Sequence, residues 1–330
     1  ADLTKAIYRR IPILVDKNRE QAGNPWGVRF VRMFDQTNDA ELFKNAQQLH
    51  KMGLKLQGNR WKRRNRLFLP LYEAKMVQAY DHRAAGVLLE EGNWVRQGQT
   101  EPTTLVRHQN PEFVVQPRWW VDEVEAARCL GADRPRGFIG FKDITSPTNE
   151  RTMIAAAIPW SAVTNHFPLM VTTATTRLEL CLLANLNSFP LDYVCRQKIG
   201  GITLNFFIVE QLPVLPPDVY AERCPWNRRQ SLERWIADRV LKLTCTSNDM
   251  LLLAEAVSFK KGVHKWRLDD RASLRAELDA AYFLLYGIPR EDVEYILSTF
   301  TGTQRRDEAD AGTYRTAGMI LEAYDSLSNA

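Results

Sequence analysis

Apolar residues recur at helical spacing towards both ends of the chain, whereas its middle holds short apolar runs. From Leu3 to Leu14, apolar positions repeat every three or four residues, which predicts a helix. A second helix is predicted to begin at Asn38, which forms a capping-box pattern with Glu41, and to end at Gly53. The first part of the chain is therefore predicted to be a helical lead-in.

From Leu67 onwards, short apolar stretches alternate with Gly, Pro and Asn, which is typical of strands. Four strands are predicted: Leu67–Tyr72, Glu112–Val115, Gly137–Phe141 and Thr152–Ile158. Three helices are predicted among and after them: Asp122–Leu130, Arg177–Leu186 and Leu191–Lys198.

The run Leu212–Pro217 is rich in proline and predicts a stiff connector, after which the pattern is helical to the end. One helix there is predicted to end at Gly287, and the next to begin at Pro289. We therefore expect a mixed α/β (α+β) fold in three segments: a helical lead-in over 1–66, a strand-rich module over 67–217 and a helical domain over 218–330.

Charge adds a local feature to this pattern. The formal net charge is +5 and the isoelectric point about 8.9, which is mild for 330 residues, but basic residues crowd together between Asn59 and Arg66. The five cysteines form no Cys-x-x-Cys pair, so neither a disulfide framework nor a zinc module is indicated. No apolar run is long enough to cross a bilayer, and we expect a cytoplasmic protein.

Motifs for catalysis are weak or missing. Methyl transfer to an exocyclic amine needs an Asn-Pro-Pro-Tyr-like turn, and the nearest matches, Asn24–Gly27 and Asn110–Phe113, lack the second proline and are typical of ordinary turns. A glycine-rich cofactor loop is also not found, since Gly137–Gly140 is better explained as a strand edge. We expect no catalytic residue, metal or cofactor in this chain.

One alternative is a magnesium-dependent nuclease. A predicted strand leads into Glu73 and Lys75, the Glu-x-Lys order of many metal-dependent nucleases, although a further carboxylate would be needed to hold the metal. Asp81 next to His82 suggests an acid–base pair, but adjacent side chains point apart and no Ser or Cys stands nearby in the sequence. A protein-interaction module, with an exposed apolar patch, is the other alternative.

Several blocks resemble one family, the large type IIG and defence-island N6-adenine DNA methyltransferases, in the region after their catalytic domain. The resemblance spans nearly the whole chain. Its blocks are Leu69–Met76 with Tyr80–Arg83, Phe141–Thr152, Leu183–Ser188 with Arg196–Gly201, Leu204–Phe207 to Pro213, and Leu284–Ile288. One local departure is Ala74, where the family often has glycine.

This resemblance implies a TaqI-type target-recognition domain with a helical extension, serving a restriction-modification or phage-defence enzyme. It implies that the parent enzyme uses S-adenosylmethionine, which is not bound by this chain, and that the catalytic domain lies elsewhere in the same protein or in a partner subunit. The expected partner of this chain is double-stranded DNA.

The candidate DNA-binding residues fall into groups of cationic and amide side chains. Arginine and lysine would contact phosphates, while Asn, Thr and Arg would contact base edges. The candidates are Lys62, Arg63, Arg64 and Arg66 in the basic run; Lys75, His82 and Arg83; Lys142, Thr148, Asn149 and Arg151; and Arg196, Lys198 and Asn205 around Gly200 and Gly201. The alternatives are a solvated basic turn, a locally capped loop at 143–151 and a polar hinge at 75–83.

Overall fold

The chain has a mixed α/β fold in which more residues are helical than lie in strands. The structure is a computed structural model that describes residues 2–19, 22–88, 98–131, 138–259 and 262–330. Gly137, the first residue of a predicted strand, lies outside these ranges.

The described strands form two main sheets and two separate hairpins. The strands are β1 Arg29–Val31, β2 Lys55–Gln57, β3 Arg60–Arg63, β4 Arg66–Tyr72, β5 Ala85–Val87, β6 Thr100–Pro102, β7 Trp120–Asp122, β8 Phe138–Phe141, β9 Ala155–Ile158, β10 Ala162–Val163, β11 Leu169–Val171, β12 Arg223–Cys224 and β13 Asn227–Ser231. A four-stranded antiparallel sheet has the order β1-β11-β8-β9. A five-stranded sheet has the order β10-β4-β3-β2, with β7 also paired to β4.

Helices dominate the second half of the chain. The described α-helices are α1 Asp2–Arg10, α2 Ala46–Lys51, α3 Leu105–Gln109, α4 Glu123–Leu130, α5 Thr176–Leu186, α6 Phe189–Lys198, α7 Phe206–Glu210, α8 Leu232–Thr244, α9 Leu251–Ala256, α10 Leu268–Leu285, α11 Arg290–Ser298, α12 Thr301–Ala311 and α13 Arg315–Ser328.

The four-stranded sheet separates two hydrophobic cores. Successive side chains of a strand point to opposite faces, so Ala155 and Ala157 of β9 pack among the helices, while Ala156 and Ile158 pack against the five-stranded sheet. The molecule is therefore layered as helices, four-stranded sheet and five-stranded sheet.

Two helix boundaries that were predicted from local signals are confirmed. The side chain of Asp122 accepts a hydrogen bond from the backbone N–H of Val124 at the start of α4, and Gly131 follows that helix with a φ of 96°. Gly287 ends the helical stretch after α10 with a φ of 63°, and Pro289 stands directly before α11. Caps and stops within a few residues can be recognised without knowledge of the tertiary fold.

The predicted start of the second helix at Asn38 is wrong. Backbone N–H groups of Thr37 and Asn38 donate to the side chain of Asp35, which forms a turn there instead. The capping box lies at Asn45 and Gln48, at the start of α2. Each of these two side chains accepts a hydrogen bond from the other residue's backbone N–H.

Two further element predictions are corrected. The lead-in is not helical throughout, because it contains β1, β2 and β3, and the expected boundary after Arg66 falls inside the β3–β4 hairpin. The segment Glu112–Val115 is not a strand but a turn followed by extended chain. Val115 is fully buried, which explains the apolar pattern of this segment, and its carbonyl accepts a hydrogen bond from the side chain of Asn59.

The proline-rich segment Leu212–Pro217, expected as a stiff connector, is packed against other parts of the chain. Leu212 and Val214 are buried, and backbone hydrogen bonds join the segment to residues near Leu14. The larger core includes side chains from all three predicted segments, from Ile7 to Tyr324. The chain therefore packs across the boundary expected at residue 217.

Candidate nucleic-acid interface

The basic run forms a two-stranded projection anchored by its own small core. Strands β3 and β4 pair in register through a two-residue turn at Arg64 and Asn65. Trp61 lies directly opposite Phe68, and the Trp61 ring meets that of Trp120 edge-on at 6.1 Å between centroids. These three aromatic residues pack with Leu49 and Leu54 in a separate hydrophobic cluster. Trp61 is therefore an anchor of the hairpin and not a surface stacking platform.

Like charges face one another across this sheet. Lys55 of β2 is the register partner of Lys62, and Arg63 of β3 is the register partner of Arg66. Directly opposed like charges on neighbouring strands destabilise a sheet. All four side chains are exposed, so the repulsion is available to be relieved by a bound polyanion. We refer to this surface as the basic hairpin, consisting of β2, β3, the turn and Arg66.

The cations of the basic hairpin differ in what they already bind. Arg63 donates to the carbonyl of Met52 at 2.6 Å, and Arg66 pairs with Asp122 at 3.0 Å. Lys62 and Arg64 have no hydrogen-bond or ion-pair partner within the described parts of the chain. Lys62 and Arg64 are thus the side chains best placed to contact phosphates.

The turn of the basic hairpin is strained at Arg64. Its φ is 49°, in the left-handed region, whereas Asn65 is not among the residues of positive φ. A two-residue hairpin turn with positive φ only at its first position favours glycine there. An arginine at this point therefore costs stability relative to glycine.

A second group of candidates lies on two adjacent loops. The loop at 142–151 and the loop at 199–205 are joined by backbone hydrogen bonds, from Thr145 to Ile202 and from Leu204 to Asp143. Thr148 is held in a turn with Ser146 by a hydroxyl pair at 2.8 Å. The two loops thereby form one continuous surface, on which Ile144 and Ile202 are exposed beside the polar side chains.

Within the two loops, three side chains keep free hydrogen-bonding groups. Asn149 is exposed, Lys142 and Asn205 are half-buried, and none of these side chains has a partner in the described ranges. Burial lowers the pKa of the Lys142 ammonium to about 8, so the group is still mostly protonated near neutral pH. Asn205 precedes α7 but makes no side-chain capping bond.

Arg151, expected to contact a base, and Arg196, expected to contact a phosphate, instead bind the protein itself. Arg151 donates to the fully buried carboxylate of Asp192 at 2.7 Å, and its guanidinium lies over the ring of Phe189 at 4.1 Å. Arg196 donates to the carbonyls of Asn149 and Glu150, and lies 3.9 Å from the centroid of the Phe300 ring. Their donors hold the loop at 142–151 against the helices.

Lys198 is also engaged within the protein. Its ammonium donates to the side-chain oxygen of Gln211 at 3.0 Å and lies 5.2 Å from the centroid of the Tyr8 ring. Gly200 and Gly201 beside it are exposed. The expected phosphate contact at Lys198 would require it to exchange these partners.

His82 and Arg83 lie in the interior, which corrects their expected role at a DNA surface. Arg83 is 0% exposed. It donates to the carbonyls of Asn110, Phe113 and His108, and to both oxygens of Thr246. These bonds tie three segments of the chain together.

A Ser-His-Asp group that the sequence did not reveal surrounds His82. The Nε2 atom of His82 lies 3.0 Å from a carboxylate oxygen of Asp249 and 3.3 Å from the hydroxyl of Ser247. In a nucleophilic triad the acid and the serine bind opposite ring nitrogens, whereas here both contact Nε2. His82 is also only 2% exposed. The group is therefore a buried polar network.

Glu73 and Lys75 pair with each other at the end of β4. The ammonium of Lys75 lies 2.9 Å from a carboxylate oxygen of Glu73, and the same oxygen accepts from Gln36 at 3.1 Å. Lys75 also donates to the carbonyl of Gly98. Within the described ranges, no three His, Cys, Asp or Glu residues form a cluster that could hold a metal. The geometry gives the nuclease alternative no support.

The two Asn-Pro motifs are ordinary turns. Asn24 exchanges two hydrogen bonds with the backbone of Val28, and Gly27 between them has a φ of 58°. The side chain of Asn110 accepts a hydrogen bond from the backbone N–H of Glu112.

Among the described helices none has the length and apolar character needed to cross a membrane. Comparison of the sequence with protein-family models and with curated proteins gives no match.

Proposed function

We propose that this chain recognises DNA for an N6-adenine DNA methyltransferase of a restriction-modification or phage-defence system. In this proposal the chain acts in the cytoplasm on double-stranded DNA. The catalytic domain and S-adenosylmethionine belong to another part of the same protein or to a partner subunit. The blocks of sequence resemblance suggest this enzyme class, and the basic hairpin supplies the physical argument for DNA.

The observation that carries the proposal is the pair of opposed like charges in the basic hairpin. Lys55 faces Lys62, and Arg63 faces Arg66, at a strained turn that presents Arg64. An arrangement that is unfavourable in the free protein becomes favourable when phosphates lie between the cations. The free side chains of Lys62 and Arg64 are the proposed backbone contacts.

The two loops are the proposed source of sequence choice. An Asn side chain can bond adenine bidentately in the major groove, and Lys can donate to guanine. Asn149, Lys142 and Asn205 retain such groups, and Arg151 and Arg196 hold the loops rigid from behind. A rigid scaffold that presents free polar groups is what base reading requires.

The test is duplex binding as a function of salt. Changing Lys62→Ala and Arg64→Ala together removes two proposed phosphate contacts. The slope of log affinity against log salt should therefore flatten by about 1.8, at roughly 0.9 per contact. Fluorescence anisotropy with a labelled duplex measures this slope. The matched control is Lys5→Ala with Arg315→Ala, which removes the same charges from exposed ion pairs.

The second arm of the test concerns sequence preference. Duplexes selected from a random pool by the protein and by Asn149→Ala should differ at one base pair, while Asn18→Ala, at another exposed asparagine, should select the original sequence. Salt slopes for the Lys62/Arg64 variant that equal those of the wild type and the control would contradict the proposed interface. Unchanged selection by Asn149→Ala would exclude that residue as a reader.

A further inference from the structure

A second hairpin near the start of the helical half exposes arginines. Strands β12 and β13 pair antiparallel around a turn at Pro225 and Trp226. Arg223, Arg228 and Arg229 of this hairpin are exposed, as is Arg234 in the first turn of α8. We call this surface the arginine hairpin, residues 223–234.

The pairing register directs two of these arginines away from the sheet. Cys224 pairs with Asn227 and Arg223 pairs with Ser231, so β12 advances by one residue while β13 advances by four. Arg228 and Arg229 thus lie in a bulge with no residue opposite. Bulges in antiparallel pairs re-aim side chains, and both of these point into solvent.

None of Arg223, Arg228, Arg229 and Arg234 makes a side-chain hydrogen bond or ion pair with any residue that the structure describes. Some exposed arginines of this chain do pair with carboxylates, as Arg19 does with Asp16 and Arg315 with Asp269. The four guanidinium groups of the arginine hairpin are instead available to bind an anion.

The arginine hairpin is anchored by contacts with helix α8 and by buried side chains. The Trp226 and Trp235 rings meet edge-on at 5.1 Å between centroids. The backbone N–H of Leu232 donates to the carbonyl of Glu222 at 2.9 Å, and Cys224 is fully buried. The arginines are therefore presented by a fixed platform instead of a loose loop.

We infer that the arginine hairpin is a second contact site for the phosphate backbone of duplex DNA. The inference rests on the proposed function, that the chain binds DNA. Guanidinium groups bind phosphate oxygens bidentately, and four on one platform suit a run of spaced phosphates. An amphipathic membrane anchor also presents large apolar side chains, and residues 223–234 expose none; purely electrostatic binding to anionic lipid is separated by the vesicle measurement below.

The experiment compares the wild type with two charge-matched double variants by the salt dependence of duplex binding. The variants are Arg228→Ala with Arg229→Ala, and the control Arg19→Ala with Arg315→Ala. The bulge variant should flatten the log–log slope by about 1.8, on the basis of about 0.9 per contact, and the control should not. Thermal unfolding checks that each variant is folded, and Arg234→Ala, on α8 outside the bulge, provides a second variant with an expected change of about 0.9.

The outcomes separate this inference from the proposed function. A flattened slope for Lys62→Ala/Arg64→Ala with an unchanged slope for both arginine-hairpin variants would overturn the inference and leave the basic hairpin standing. A flattened slope for both arginine-hairpin variants, with an unchanged slope for Lys62→Ala/Arg64→Ala, would support DNA contact by the arginine hairpin and not by the basic hairpin. Loss of binding to phosphatidylserine-containing vesicles, without any change in DNA binding, would assign the arginines to a lipid surface and overturn the inference.

Discussion

At the scale of single residues, the arginines of this chain have two different roles. Arg83 is buried and Arg151 half-buried, and they bond to carbonyls and a carboxylate, whereas Arg64 at the tip of the basic hairpin has no partner among the described residues. The planar guanidinium suits both roles, because its five donors can bind either buried oxygens or phosphates. Residue type alone does not separate them.

The internal role of Arg151 leads to a prediction about stability. Arg151→Ala leaves the carboxylate of Asp192 buried without its cation, and breaking a buried pair in this way costs about 3 kcal/mol or more of unfolding free energy. Urea unfolding followed by circular dichroism measures it. Arg19→Ala, which breaks an exposed pair, should change the value by less than about 1 kcal/mol. A loss at Arg151 no larger than at Arg19 would show that this pair does not stabilise the fold.

The sequence allowed the candidate residue types to be chosen but not their partners. Lys62 and Arg64 were selected because they crowd together, and they are free at the surface. Arg151 was selected for its place in a polar loop, yet its partner Asp192 lies 41 residues further on. A contact at that separation depends on how helices and sheet pack, which no local pattern encodes.

At the scale of elements, the basic hairpin combines a stable base with a costly tip. Trp61, Phe68 and Trp120 hold the strands in register, while the turn places an arginine where glycine is preferred. A residue that costs stability where it stands is typical of a functional site. The arginine hairpin also presents cations from an anchored base, but through a bulge and not through a strained turn.

This arrangement predicts opposite effects of Arg64→Gly on folding and on binding. Glycine relieves the left-handed strain, which outweighs its greater freedom in the unfolded chain, so the unfolding free energy should rise by up to about 1 kcal/mol. Affinity for duplex DNA should fall, because a phosphate contact is lost. Urea unfolding and anisotropy give the two values. Arg64→Lys keeps the charge and the strain, and should leave both nearly unchanged; a stability loss with glycine would contradict the strained turn.

Local signals predicted the elements better than their arrangement. Gly131 and Gly287 ended helices as expected, because a left-handed stop needs only the chain around it. The prediction of a capping box at Asn38 was wrong because the side chain of Asp35 accepts from the backbone N–H of Asn38 instead.

Strand β3 was missed because most of its side chains are cations, and its pairing with β4, where Trp61 lies opposite Phe68, is not visible in the local sequence. Lys55 was missed as a candidate because its pairing with Lys62 depends on that register.

At the scale of the whole molecule, one buried polar network joins distant parts of the chain. Asp81 bonds His108, and His82 bonds Asp249, each at 3.0 Å, on either side of the contacts made by Arg83. Segments that the sequence assigned to the middle and final parts are thereby fixed to each other. The expected boundary at 217 was inferred from proline content, which cannot reveal that Leu212 and Val214 are buried.

The network predicts how stability depends on acid. Burial raises the pKa of the Asp249 carboxyl, but the charge of His82 and hydrogen bonds from His82 and Ser247 outweigh it and lower the pKa to about 2. A folded pKa below the unfolded value of 3.8 means that the stabilisation is present above about pH 4 and is lost as the pH falls towards about 2. The amount is about 2 kcal/mol.

Urea unfolding of the wild type and of Asp249→Asn between about pH 2 and 6 tests this pH dependence. The Asn variant should lose much less unfolding free energy as the pH falls. Asp279→Asn is the contrasting variant, because burial raises the pKa of that carboxyl to about 6 and its contribution is lost as the pH rises through that value. An acid profile of Asp249→Asn that matches the wild type would show that the network does not control acid stability.

The separate cluster formed by Leu49, Leu54, Trp61, Phe68 and Trp120 bears on how such proteins diversify. Because these side chains pack on one another and not in the helical core, the exposed turn at Arg64 and Asn65 can gain or lose residues without disturbing the main fold. The turn between β2 and β3 is different, because Asn59 there is buried and donates to the carbonyl of Val115. Natural insertions and deletions should therefore accumulate between β3 and β4. Under the proposed function, a change in the length of this turn would alter which DNA positions the basic hairpin can contact, while the rest of the fold stays the same.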